Sequence, residues 1–362
     1  MSAAPRVLLL TPDYPPARGG IQYLLNGIVR HASRVRFRVV TLGDRPGTSE
    51  EDTVPVRRVA SPGPRGATVA RLNAAALAEA RSWRPDVVLS GHVVMAPAAR
   101  LTGVPYVQYL YAKEIAYRPR LSAYALRHAC AGIVLGSHGR RLALAAGAAN
   151  TPLHAIPPGI DLSPPPSTTA RDRAPLIVNV ARLEDRYKGF DVLIRALPLI
   201  RSRVPNAMMT FVGDGPLRAS LEALARSNGC ADALHCAGSV SNAERDALLS
   251  AATVFAMPGR LPAGSGGEGF GIVYLEAGAH GTPVVAGNVG GAVDAVVHGQ
   301  TGLLVDPEDH VAVGAAISSL LEDRELAARL GAGGRQWAEG FTWATVVPKV
   351  EDVLIAAAEH GR

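Results

Sequence analysis

Gly267-Glu268-Gly269-Phe270-Gly271-Ile272-Val273-Tyr274-Leu275-Glu276-Ala277 is the stretch on which the reading of the fold turns. Two glutamates, seven residues apart in the intervening chain, bracket a Gly-Phe-Gly turn that opens a helical pattern. A helix that begins on glycine leaves backbone amides free to meet an anion, and its dipole favours negative charge at that end. Carboxylates on either side accept hydrogen bonds from hydroxyl groups. Phosphate and polyol recognition thus share one short segment.

Outward from it, short apolar runs alternate with helix-length segments such as Ile21–His31 and Ala67–Trp83. Val7–Leu10, Phe37–Leu42, Asp86–Leu89, Tyr106–Tyr109 and Gly132–Leu135 read as buried strands. The pattern restarts with Leu176–Val180, Ala207–Val212, Thr253–Met257, Pro283–Ala286 and Gly302–Val305. Such alternation predicts an α/β protein with parallel sheets, and the restart predicts two of them. Pro157-Pro158-Gly159, then Asp161 to Pro175 with further prolines, has the composition of a linker. The expected domains are 1–160 and 161–344. Ligands bind outside the carboxyl ends of parallel strands, so two such sheets facing each other would hold one in a cleft. Phe341 to Ala358 reads as a helix, with Trp343, Val347, Val350 and Leu354 at helical spacing.

The chain has 362 residues and a net charge of +6, and that charge is unevenly divided. Residues 1–160 carry 20 Lys+Arg against 8 Asp+Glu, whereas residues 161–362 carry 17 against 23. The basic half points to an anionic partner: a phosphate compound, a membrane surface or nucleic acid. Only Lys113, Lys188 and Lys349 are lysines, so compositional drift towards arginine accounts for part of the excess. Cys130, Cys230 and Cys236 are too few and too irregular for a disulfide framework or a zinc site. No run reaches the length of a membrane span, and the Val7–Leu10 run is too short for a signal-peptide core. A soluble, cytoplasmic protein is the expectation, with any membrane contact made from one face.

Three further motifs carry chemistry. Thr11-Pro12-Asp13-Tyr14-Pro15-Pro16-Ala17-Arg18-Gly19-Gly20-Ile21-Gln22 follows the first strand and leads into a helix. Gly19 and Gly20 let a backbone approach an anion, although a glycine pair before a helix is also an ordinary tight turn. The loop lacks the GxGxxG spacing of a dinucleotide site. In Val180-Ala181-Arg182-Leu183-Glu184-Asp185-Arg186-Tyr187-Lys188-Gly189, Arg182 and Lys188 flank a short loop beyond a strand's carboxyl end. Two cations there can neutralise a diphosphate and stabilise it as a leaving group. An isolated pair of this kind is equally a solvated loop. Phe211-Val212-Gly213-Asp214-Gly215-Pro216 reads mainly as a structural strand-to-helix turn.

Taken together, the Gly-Gly loop, the Arg182/Lys188 pair and the Glu-x7-Glu block resemble the retaining, GT-B-fold enzymes of glycosyltransferase family 4, over nearly the whole chain. Within that group the segments Asp13–Gln22 and Glu268–Ala277 look closest to bacterial phosphatidylinositol mannosyltransferases of the second-mannose type. The resemblance implies two Rossmann-like domains and a nucleotide-sugar donor held mainly by the second, GDP-linked first and UDP-linked second. By position Arg182 and Lys188 would bind the diphosphate, helped by backbone at Gly19, Gly20, Gly271, Ile272 and Val273. Glu276 would take the ribose, Glu268 with the Gly269 and Phe270 backbone the transferred sugar, and Val240 would lie near the base. The acceptor, a lipid or small-molecule alcohol, would bind the first domain, to which the C-terminal helix (about 345–362) crosses back in this family. No Asp-x-Asp occurs, so the two fixed cations stand where a metal would, and no cofactor is implied.

One segment departs from the family pattern. Relatives carry a His-Gly-x-Glu-like stretch where this chain has Tyr111-Ala112-Lys113-Glu114, putting Tyr111 in the place of a histidine tied to activity. A phenol donates a hydrogen bond but, with a pKa near ~10, is a poor base at neutral pH. The departure leaves open an ordinary hydroxyl acceptor, an unusual one such as a sulfur nucleophile, a GT-B epimerase, or a non-catalytic homologue that binds nucleotide sugar. Arg118, Arg120 and Arg127 lie on a predicted helix that suits either plain solvation or an anionic lipid surface. Nucleic acid is not favoured, since no aromatic-rich recognition motif accompanies the charge.

Overall fold

The computed structural model describes residues 4–17, 19–51, 54–60, 63–148, 150–162 and 174–360. Arg18 of the first glycine motif and positions 163–173 of the expected linker lie outside the described residues. The chain divides into two compact units: Met1–Gly159 with Trp343–Arg362, and Ile160–Thr342.

The first unit is built on a sheet of β1 (Arg6–Leu10), β2 (Arg36–Gly43), β3 (Gly47–Glu51), β4 (Val54–Ala60), β5 (Val87–Ser90), β6 (Tyr106–Leu110), β7 (Ala131–Val134) and β8 (Leu153–Ala155). Their order is β3-β4-β2-β1-β5-β6-β7-β8, parallel except for the β3/β4 pair. Val7, Leu8, Leu9 and Leu10 are all fully buried, as a central parallel strand covered on both faces requires. β3 was not legible as a strand because it is polar and exposed; it lies at the edge, where Arg58 of β4 binds Glu51.

The helix Trp343–Glu359 belongs to this unit. Val346, Val347, Val350 and Leu354 join the same apolar cluster as Leu24, Leu25 and Ile28 of the helix Gly20–His31. The Trp343 ring occupies space that a side chain at Gly27 or Gly159 would fill, and it stacks on His31 at 5.4 Å. Buried Glu351 accepts the backbone amides of Ser33 at 2.8 Å and Arg34 at 2.6 Å.

The second unit contains β9 (Leu176–Val180), β10 (Met208–Val212), β11 (Leu234–Gly238), β12 (Val254–Met257), β13 (Val284–Gly287) and β14 (Gly302–Val305), all parallel, in the order β11-β10-β9-β12-β13-β14. β11 escaped the sequence reading because His235 interrupts its apolar run and the strand lies half-exposed at the edge. Each sheet has one place where successive connections leave in opposite directions: between β1 and β5, and between β9 and β12. Parallel sheets bind ligands at the carboxyl side of such switch points.

Candidate active site

At the switch point of the second unit two loops meet. After β9, Ala181 and Leu183 hydrogen-bond back to Val212 and Asp214, which carries Arg182 clear of the sheet. Its side chain is 62% exposed and lies 3.4 Å from Glu184. A single helical turn, Arg186–Lys188, follows and ends on Gly189 at φ +78°. A Cβ at Gly189 would run into the Pro258 carbonyl, so only glycine admits the turn this close to β12. Arg260, two residues beyond Pro258, fixes the same turn: its guanidinium reaches the Arg186 carbonyl at 2.6 Å and Asp191 at 2.6 Å.

The product of this bracing is an ion pair between Lys188 Nζ and Glu268 Oε2, both side chains only 17% exposed. The two residues stand 80 positions apart in sequence. At this depth the lysine is positioned by a charge partner and the carboxylate is neutralised, so neither is a free surface charge.

The loop after β12 is shaped from behind by glycine. Gly291 donates its amide to the Glu268 carbonyl at 2.8 Å, and a Cβ on Gly291 would overlap the backbone of Gly269 and Phe270. Gly271 at φ +87° caps the helix Ile272–Ala279, with the Tyr274 ring occupying the side-chain space beside it. The Tyr274 hydroxyl donates to the Met257 carbonyl at 2.8 Å, locking helix to strand. Phe270 turns into the core against Phe341, so it offers only backbone here. Gly269, Ile272 and Val273 are at the same turn, where the Tyr274 amide closes on the Gly271 carbonyl at 2.9 Å.

One helical turn later, Glu276 lies 3.3 Å from Arg245 of the helix Asn242–Ala251. Burial raises its pKa, opposed by Arg245 and reinforced by Asp246 and Asp161. That helix starts at Ser241, whose hydroxyl and Glu244 close a reciprocal cap; Val240, half-buried, is the residue before it. Val240 and Glu276 therefore flank the end of β11 and the Arg245 helix, without a hydrogen bond between them.

In the first unit the loop after β1 is held by the Thr11 hydroxyl, which accepts the Asp13 amide at 3.0 Å, and by Gln22, which donates to Asp13 at 3.0 Å. Gly20 opens the helix Gly20–His31. A side chain at Gly19 would meet only the end of the Gln22 side chain, not backbone, so the fold itself makes little demand for glycine there.

Tyr111 stands elsewhere than its place in the motif implied. It is 5% exposed, packed in the apolar cluster and stacked on Tyr109 at 5.5 Å, and its hydroxyl has no hydrogen-bond partner. Burial drives the phenol pKa well above its ordinary value. A reading that gives this hydroxyl to substrate needs it at the surface, and here, among the described residues, it is a core side chain.

A model of the family described as "Glycosyl transferases group 1" matches residues 165–337. The GDP-mannose-dependent alpha-(1-6)-phosphatidylinositol monomannoside mannosyltransferase of Mycobacterium tuberculosis is 37% identical, over 96% of this chain and 98% of its own length. Its counterpart from Mycolicibacterium smegmatis is 32% identical over 98% and 99%. The chain belongs to the group 1 glycosyltransferases. It shares its GT-B fold with sucrose-phosphate synthase from Thermosynechococcus elongatus, at a TM-score of 0.85 and 22% identity over 98% of this chain and 99% of that one.

Three side chains of this glycosyltransferase escaped the motif reading: Arg260, Arg245 and His92. Arg260 follows a strand's carboxyl end, the one local sign that marked it; Arg245 sits in a helix that reads as ordinary solvated surface. His92 follows β5, and its Nδ1 lies 2.7 Å from Glu114 Oε1. Glu114 also accepts the Val93 amide at 3.2 Å and the Tyr111 amide at 3.4 Å. Among the described residues no three His, Cys, Asp or Glu converge as a metal-ligand set, and no helix is long and apolar enough to cross a membrane.

Proposed function

We propose that this enzyme transfers mannose, with retention at the anomeric carbon and without a metal, from GDP-mannose to a mannosylated phosphatidylinositol-type alcohol. Similarity at 37% identity over essentially the full length of a mannosyltransferase of that description carries the reading. The geometry of the second unit supports it. Lys188, held by Glu268, and the mobile Arg182 supply cations for the diphosphate; the Gly271–Val273 amides add partial positive charge. Gly19 and Gly20, where the fold demands so little, give a phosphate room to approach the helix start. Glu276 accepts from the ribose hydroxyls, Val240 packs towards the base, and Glu268 with the Gly269 and Phe270 backbone receives the mannose.

In the step itself the acceptor oxygen bonds to the anomeric carbon on the face the diphosphate leaves. The carbon–oxygen bond to the diphosphate breaks, its electron pair stays on the departing oxygen, and the hydroxyl proton passes to that oxygen. Lys188 and Arg182 favour the step by stabilising charge that is greatest as the bond breaks. For the lipid side, Arg120 and Arg127 on the helix Pro119–His128, with exposed Tyr117 just before it in the chain, support contact with an anionic bilayer.

The test is a melting series with GDP, UDP, ADP and dTDP, followed by transfer assays with the matching sugars. At one common concentration, a nucleotide at 100 times its dissociation constant stabilises by about 2.7 kcal/mol and one at its dissociation constant by about 0.4 kcal/mol, which ranks the four. GDP should rank first, the product should be the α-anomer, and EDTA should leave the rate unchanged. Activity only with another nucleotide sugar, or only with added metal, overturns the corresponding part.

A further inference from the structure

The first unit has its own switch point, between β1 and β5, and a histidine–glutamate pair sits on it as Lys188–Glu268 does in the second. His92 is the second residue after β5; Glu114 comes from the segment after β6, the neighbouring strand. The Glu114 side chain is 7% exposed and gathers three groups, the His92 ring and the amides of Val93 and Tyr111. A buried carboxylate so placed determines which way the imidazole points. Nδ1 accepts the Val94 amide at 3.2 Å and lies 2.7 Å from Glu114, so the ring is held at that nitrogen.

No hydrogen bond engages Nε2 among the described residues, and the side chain keeps 17% of its surface open. An imidazole fixed at one nitrogen and open at the other, at the place where a parallel sheet binds ligands, is a built partner for a hydroxyl. We propose that Nε2 of His92 makes a hydrogen bond with a hydroxyl of the polyol acceptor, with Glu114 as its positioning residue. The assignment rests on the first unit being the acceptor's, as in the reading above. It also gives the first unit an imidazole contact that residue 111, with its hydroxyl in the core, does not make.

Two amides separate this role from a structural one. The Asn side chain places an amide nitrogen near Nδ1, keeping the bond to Glu114 and deleting Nε2; Gln reaches towards Nε2 and gives up Glu114. His92→Asn should lower kcat/KM for the acceptor by about tenfold or more, the scale of one lost hydrogen bond to a fixed partner, with donor KM and Tm unchanged. His92→Gln should retain more acceptor kcat/KM than His92→Asn, even if it melts earlier. The reverse order, Asn active and Gln impaired, makes the pair purely structural and overturns the proposal, as does an unchanged acceptor kcat/KM in both. Wild-type donor hydrolysis and transfer, run alongside, report on the functional reading separately: a wild type that turns over another nucleotide sugar discards GDP-mannose while His92 is still judged by the variant-to-wild-type ratio. A wild type inert with all four sugars overturns both.

Discussion

The two switch points solve the same problem with different materials. In the second unit the ligand edge is backbone, shaped by Gly189, Gly271 and Gly291, with one ion pair set into it. In the first unit it is a side-chain assembly, His92 and Glu114 from the segments that follow neighbouring strands, over tyrosines that face inward. A backbone site suits the invariant part of a reaction, since phosphates and ribose are common to every donor. A side-chain site can be rebuilt without moving the chain, which suits the part that distinguishes one acceptor from another.

The sharpest way to break the comparison is Lys188→Ala. It removes the cation and leaves Glu268 as a half-buried carboxylate facing an incoming diphosphate, so two penalties act together. Donor kcat/KM should fall about a thousandfold, while Arg182→Ala, at an exposed and already solvated position, should cost about tenfold. Equal losses at the two positions, in steady-state transfer assays, would show that the ion pair gives Lys188 no advantage.

Gly291→Ala asks whether the backbone really makes the site. Its Cβ would lie on the Gly269 and Phe270 peptide, which is held by strand and helix and has nowhere to go. A loss of about 3 kcal/mol of stability, or a folded protein that no longer binds nucleotide, is the expected result. Gly19→Ala is the matched comparison, and it should fold with a Tm close to wild type because only the Gln22 side chain, with its bond to Asp13, must shift. A drop in donor affinity without a drop in Tm would mark Gly19 as a ligand position.

This difference also explains how much the sequence disclosed. Gly271, marked by its Gly-Phe-Gly turn, and strands such as Val7–Leu10 that are apolar throughout are local statements, and they were legible; the demand for glycine at Gly189 and Gly291 comes from Pro258 and the Gly269–Phe270 peptide and was not. The Lys188–Glu268 pair was legible as two motifs but not as one contact, because 80 residues separate them. His92 and Glu114 are 22 positions apart and follow different strands, and nothing local in Ser90-Gly91-His92 announces a partner. Tyr111 was read from its motif position alone; its burial depends on Tyr109 and the apolar cluster around it.

Glu276 sets stability against binding within the second unit. Burial disfavours its ionised form, so the native state holds the proton more tightly than the unfolded chain does. Its contribution is then neutral below the ordinary glutamate value of 4.5 and increasingly destabilising as pH rises through its raised native value. Glu276→Gln should melt at or above the wild-type temperature at pH 7, with the difference vanishing in acid. Arg245 keeps its bond to Asp246 at 3.0 Å, so the variant strands no charge. Nucleotide affinity should nonetheless fall about tenfold, the loss of a charged acceptor for ribose hydroxyls. A variant less stable than wild type at pH 7 would mean that the Arg245 pair outweighs desolvation.

The smallest effect belongs to Tyr111, and its smallness is the point. Its hydroxyl is buried without a partner, a condition that costs folding free energy in proportion to the lost hydration. Tyr111→Phe removes that polar atom and keeps the ring stacked on Tyr109. The variant should be neutral to stabilised by up to about 1 kcal/mol in denaturant titrations. Transfer rates and the KM of either substrate should stay within about twofold of wild type, because a group in the core gives up nothing at the ligand edge. Tyr111→Phe with an acceptor KM raised as far as in His92→Asn would instead mean that the phenol reaches substrate during turnover. The first unit would then present two side chains to the acceptor, and the contrast with the backbone-built edge of the second would be greater still.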